Sequence, residues 1–180
     1  MVDDAMARAF PTNQCSNLAS EAGSSLCLRN RQRACAVDLR LFRKIILVLL
    51  NELAAVTSFQ IGVCLVETTE ITRLNEQFLR HAGSTDVITF NYCPRRRRTV
   101  IHGDIFICAS EAVKQSRRFR TTWQTELVRY LVHGLLHLQG YDDLTPPARR
   151  KMKLEEGRRV RELGRRFELR RLGKRSNWKR

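Results

Sequence analysis

The run His133-Gly134-Leu135-Leu136-His137-Leu138-Gln139-Gly140-Tyr141-Asp142-Asp143 constrains this chain more than any other stretch. Histidines four residues apart share one face of a helix. Gly140, three residues after the second histidine, is a natural helix stop. Asp143 follows three residues later. Two imidazoles on a rigid element and a carboxylate returned by a turn make a donor set suited to a divalent transition metal. Spacing favours Asp143 as third ligand. Asp142 is the alternative, and either aspartate can instead accept a bond from an imidazole N–H.

A chain of 180 residues suits one domain with extensions, and 43% hydrophobic residues supply a sizeable core. The formal net charge of +15 is partly local. Residues 149–180 hold 15 Lys/Arg against four Glu, and Arg95, Arg96, Arg97 and Arg98 form a second basic block. Two concentrations of this kind suit a polyanion such as RNA, with solvated basic helix faces as the plainer reading. The six cysteines (Cys15, Cys27, Cys35, Cys64, Cys93, Cys108) form no C-x-x-C pair. No disulfide partner is therefore expected, and a reducing cytoplasm fits best. The longest strongly apolar run, 45–50, is too short to span a bilayer. The first 25 residues lack a basic segment followed by an apolar one, so no secretory signal is expected.

Residues 1–28 show no sustained period and read as an extension. A first strand is expected over 31–37. Asp38 is a good N-cap for a helix carrying Leu39, Phe42, Ile45, Ile46 and Leu49. Alternation over 58–67 predicts a strand, and Thr68 or Thr69 opens a helix through Ile71, Leu74 and Phe78. Strands are expected over 85–90 and 104–108, the second followed by a helix capped by Ser110. Thr121 with Gln124 reads as a capping box for the histidine helix, which runs to Leu138. Pro146-Pro147 starts a last helix with Ala148, Met152, Val160 and Leu163 partly in phase. The expected fold is α+β, one mixed sheet of about four strands packed with helices. The ordered domain is placed at 29–164, with a basic tail over 165–180.

The His-to-Asp spacing resembles the H-E-x-x-H-x-x-G-x-x-H signature of metzincins, with Asp143 at the third ligand position. Gly134, however, stands where a zinc peptidase keeps its glutamate base. Two upstream segments widen the comparison: Ser84-Thr85-Asp86-Val87-Ile88-Thr89-Phe90 and Gly103-Asp104-Ile105-Phe106-Ile107. Together with the histidine segment they resemble the YbeY family of bacterial endoribonucleases, over roughly residues 30 to 160. The resemblance implies a zinc ion on His133, His137 and Asp143. This chain departs from the family at the third ligand, where histidine is typical. The added negative charge would weaken the Lewis acidity of the ion. The resemblance also implies an arginine shortly after the Leu-Asn pair of the preceding helix; that position holds Leu79, with Arg80 one residue later, so Arg80 is the catalytic candidate. Asp86 reads equally as a structural residue or as a support for the ligands, and Asp104 mainly as structural. His81 and His102 are read as isolated loop histidines without a metal role.

The resemblance further implies a single-strand-specific endoribonuclease acting in ribosomal RNA maturation, at the 16S 3′ end, and in ribosome quality control. Its partners would be ribosomal RNA and the small ribosomal subunit. Asp142 is the candidate to assist the nucleophile, and Arg95–Arg98 the candidates to hold RNA. A ribosome-assembly factor with a structural metal is the second expectation. A zincin-related hydrolase is the third, and Gly134 argues against it.

Overall fold

The structure, a computed structural model, describes residues 23–52, 56–93 and 100–173. The strands are β1 (Ser25–Asn30), β2 (Ser58–Val66), β3 (Val87–Asn91) and β4 (Val100–Cys108). They form a single mixed sheet in the order β1-β2-β4-β3. β1, β2 and β4 run parallel, and β3 pairs antiparallel to β4. The helices are α1 (Leu39–Glu52), α2 (Thr68–Leu74), α3 (Ala109–Phe119), α4 (Trp123–Leu138) and α5 (Pro146–Arg166). The expected α+β architecture with a four-stranded mixed sheet is the one observed.

Period-two alternation sorts the strand residues onto two faces. Ile61, Val63, Leu65, Ile101, Ile105 and Ile107 join Phe42, Ile45 and Ile46 of α1 and Leu127, Leu131 and Leu135 of α4 in the larger core. Cys64, Val66, Phe106, Cys108, Ile88 and Phe90 face the other way and are covered by Ile71 and Leu74 of α2. α4 lies close to the sheet through small residues on both sides. A Cβ on Gly134 would come within 2.7 Å of Ile105 Cγ2, and one on Gly103 within 2.6 Å of Leu138 Cδ2. Neither position has room for a side chain.

Several expected boundaries move. The first strand is Ser25–Asn30, not 31–37, so the chain enters the sheet inside the segment read as an extension. Leu26 and Leu28 pack into the larger core. Residues beyond Asn30 turn instead, because Gln32 is buried and bonds both the Cys35 N–H (3.1 Å) and the Cys35 carbonyl (2.8 Å). β4 starts at Val100, which makes His102 a strand residue and not a loop one. The polar residues His102 and Asp104 obscured this because they face away from the larger core. α3 starts directly from Cys108 without a side-chain cap, so Ser110 is not its cap. Thr122, not Thr121, caps α4 by accepting the Thr125 N–H, while the Thr121 hydroxyl donates to Glu126 Oε1 at 2.6 Å. Asp38 caps α1 as expected, accepting the N–H groups of Arg40 and Leu41 at 3.0 Å.

The segment read as a basic tail is partly core. α5 extends to Arg166, and a 3-10 turn over Leu169–Gly173 buries Leu169 and Leu172. The Leu172 carbonyl accepts the Asp38 N–H at 2.8 Å, tying this turn to the start of α1. Charge masked the signal, since Arg170 and Arg171 separate the two leucines.

Candidate metal centre

His133 and His137 occupy the last turns of α4, one above the other, with ring centroids 4.7 Å apart. The C-terminus of α4 is closed by the reciprocal bonds of a Schellman turn. The Gly140 N–H reaches the His137 carbonyl (2.9 Å) and the Tyr141 N–H the Leu136 carbonyl (3.0 Å). Gly140 sits at φ 86°, a conformation that costs glycine little. The turn sends the chain back along the helix, bringing Asp143 beside the histidines. One donor atom from each of His133, His137 and Asp143 lies within 4.8 Å of the others.

Hydrogen bonding fixes the imidazole tautomers. His133 Nδ1 faces Glu156 Oε2 at 3.0 Å, and His137 Nδ1 faces the Tyr141 carbonyl at 3.2 Å. Both partners only accept, so each Nδ1 carries the proton and each Nε2 of a neutral ring carries a lone pair. The two Nε2 atoms face one another at 3.1 Å. Facing lone pairs repel unless a cation lies between or beside them. Ligand nitrogens around a tetrahedral zinc ion, each about 2.0 Å from it, stand about 3.3 Å apart. The donor set therefore fits a metal ion, and the Asp143 carboxylate offers a third, anionic donor atom.

Glu156 is the residue that the sequence reading missed. It projects from α5 and orients His133, in the carboxylate–histidine arrangement that supports metal ligands. Its other oxygen accepts from Arg129 Nη1 at 2.9 Å, and Arg129 Nε donates to the buried Glu126 at 3.2 Å. Burial works to lower the His133 pKa, but the Glu156 carboxylate outweighs it and holds that pKa above the ordinary histidine value. Burial and the neighbouring His133 lower that of His137. For Glu156, burial pushes upward, and its bonds from His133 and Arg129 bring the carboxyl below the usual range. A sequence signal existed: Glu156 lies four residues after the buried Met152, on the inward side of α5.

The remaining candidates separate. Asp142 follows the same turn, and one of its oxygens accepts the Leu144 N–H at 3.0 Å. Arg149 Nε donates to the Asp143 carbonyl at 3.1 Å, pinning the ligand loop to α5. Asp86 caps its own strand by accepting the Val87 N–H at 2.9 Å, and its charge also acts on His133. Asp104 lies on the opposite sheet face, where its Oδ2 accepts the Tyr92 hydroxyl at 2.8 Å. Arg80 is exposed, in the left-handed conformation (φ 57°) that closes the π turn Asn75–Leu79. Among the described residues its side chain has no hydrogen-bond or ion-pair partner. Arg95, Arg96, Arg97 and Arg98 lie outside the described residues. Gly134, at the peptidase base position, points into the sheet and not toward the ligands.

An α+β fold bearing two histidines on one helix and an aspartate after its turn presents a candidate mononuclear metal site. The family model described as Endoribonuclease YbeY matches residues 28–164, and the chain belongs to that family. A relative from Chlorobium phaeovibrioides named Endoribonuclease YbeY is 32% identical over 137 residues, covering 76% of this chain and 89% of the relative. One of the same name from Elusimicrobium minutum is 39% identical over 101 residues, 55% of this chain and 71% of the relative. The solution structure of a Thermotoga maritima protein shares the fold, with TM-score 0.61 and 24% identity. That match covers 87% of this chain and all of the other. Among the described residues, the five cysteines are free and no helix is long and apolar enough to cross a membrane.

Proposed function

We propose that this chain is a cytoplasmic, zinc-dependent endoribonuclease that cuts single-stranded RNA. Its substrate is ribosomal RNA precursor near the 16S 3′ end, on the small ribosomal subunit, in ribosome maturation and quality control. The observation that carries the reading is the pair of Nε2 atoms facing each other at 3.1 Å beside Asp143, in a chain of the YbeY family.

When bound, the ion supplies a Lewis acid and lowers the pKa of a coordinated water toward about 7. The protein's own groups do the rest. Glu156 and the Tyr141 carbonyl keep the Nδ1 protons in place, so that both Nε2 lone pairs face the site. Asp142 keeps one oxygen outside its turn bond, and that atom accepts the proton of the attacking hydroxyl. Arg80 offers a guanidinium without a protein partner to the phosphoryl oxygens, and Arg95–Arg98 hold the RNA backbone.

Cleavage of purified ribosomal RNA precursor by the parent protein and by His137→Ala tests the reading, with metal content and folding checked in both. Cleavage by the parent, lost together with the metal in a folded variant, supports it. Equal cleavage by both proteins would overturn it. RNA binding without cleavage by either would favour an assembly factor, a reading that the basic surface and the aspartate ligand also accommodate.

A further inference from the structure

The outward face of α5 bears a second feature that the metal centre does not use. An open groove of about 700 Å³ is lined by Tyr141, Pro147 and Leu154, by Arg150, Lys151 and Arg161, and by the Glu155–Arg158 ion pair. A smaller hollow of about 330 Å³ shares Tyr141 and Lys151 with it and reaches Asp142, next to the ligand Asp143. The two depressions adjoin one another at Tyr141 and Lys151, and the smaller one borders the turn that carries Asp142.

The chemistry of these depressions is mixed in a particular way. Leu154 is 75% exposed in the middle of a basic helix face, where it lines the groove together with Tyr141. Lys151 Nζ stands 5.6 Å from the centre of the Tyr141 ring. Arg150 and Arg161 have no ion-pair partner among the described residues, whereas Arg158 is held by Glu155 (2.6 Å) and Glu162 (2.7 Å). The two unpaired arginines stand eleven residues apart, about 16 Å along a helix. Aromatic and apolar surface alternating with uncommitted cations is what an unpaired nucleotide strand requires, since bases stack and phosphates pair.

We infer that the α5 groove holds a single-stranded RNA segment adjoining the cleavage point, with a base against Tyr141 and Leu154 and phosphates on Arg150, Lys151 and Arg161. This rests on the reading of the chain as a ribonuclease. Double-stranded RNA cannot present a base face to Tyr141, so the groove selects unpaired substrate.

The test is binding of a short fluorescent single-stranded RNA across a salt series. It compares the metal-loaded parent, Arg150→Ala/Arg161→Ala, Leu154→Ser, and a charge-matched control, Arg117→Ala/Arg118→Ala on α3. The groove double variant is expected to bind about tenfold more weakly. Its plot of log affinity against log salt should flatten by about 1.4, the loss of two phosphate contacts on a single strand. Leu154→Ser is expected to weaken binding about threefold without changing that slope. A control that weakens binding as much as the groove variant would overturn the assignment, as would equally tight binding of an acidic peptide of matched charge. Parent-like affinity and slope in the groove variants, with the parent still cutting RNA, would overturn the groove and leave the nuclease reading standing. Groove-dependent binding by a parent that never cuts would do the reverse.

Discussion

α4 and α5 lie side by side and both contribute to the candidate metal site, yet they are built on opposite plans. Ten of the sixteen residues of α4 are buried, including Gly134 and the acidic Glu126. Of the 21 residues of α5 only Met152, Val160 and Leu163 are buried. The two candidate histidine ligands ride on the buried helix, and residues that steady or surround them come from the helix that turns most of its surface to water. Precision is supplied by burial, and the charged helix turns its exposed face to solvent.

The largest test of this contrast is Gly134→Glu, which places a carboxylate against Ile105 and Thr89. Overpacking and an unpaired buried charge together should cost about 3–5 kcal/mol, read as a fall in the urea midpoint. No peptide hydrolysis should appear. A variant with the parent's midpoint would show that α4 has slack at this position, and the comparison would fail.

Glu156→Gln probes the side-chain contact that α5 makes with His133. The amide keeps the size of the side chain but removes the charge that steadies His133. Metal affinity should fall about 10–100-fold, as for other supporting partners of metal ligands, measured by competition with a chelator. Unchanged affinity would mean that His133 is oriented by helix packing alone. Arg158→Ala probes the outward face. Its bonds to Glu155 and Glu162 are solvent-exposed, so its removal should shift stability by no more than about 0.5 kcal/mol. A shift several times larger would place α5 among the rigid elements.

What the sequence disclosed divides along the same line. The clustering of His133, His137 and Asp143 was legible because histidine spacing, a glycine stop and a following carboxylate obey local rules that burial of α4 reinforces. α1 and β2 were legible for the same reason, through Asp38 and the alternation of Ile61, Val63 and Leu65. Glu156 was not, because within a run of charged helix residues a glutamate facing inward looks like one facing water. Leu169 and Leu172 were hidden among arginines in the same way. Their burial also changes how the C-terminal charge is tested: removing residues 165–180 would take away part of the core, whereas ending the chain at Gly173 removes only Lys174, Arg175, Lys179 and Arg180 from the basic count. β1 escaped because a side-chain clasp from Gln32 to Cys35, and no periodic pattern, decides where the strand ends.

The two close approaches between α4 and β4 work as a keyway. Ile105 fits the flat spot at Gly134, and Leu138 fits the flat spot at Gly103. Four residues of helix advance about 6 Å and two residues of strand about 6.6 Å, so the two notches match in pitch when helix and strand run in opposite directions. Sliding α4 by a turn would bring Tyr130 or Leu138 onto Ile105 and free neither notch. The helix thus has a single seat on the sheet, and the height of His133 and His137 above it is indexed by two glycines outside the candidate ligand set.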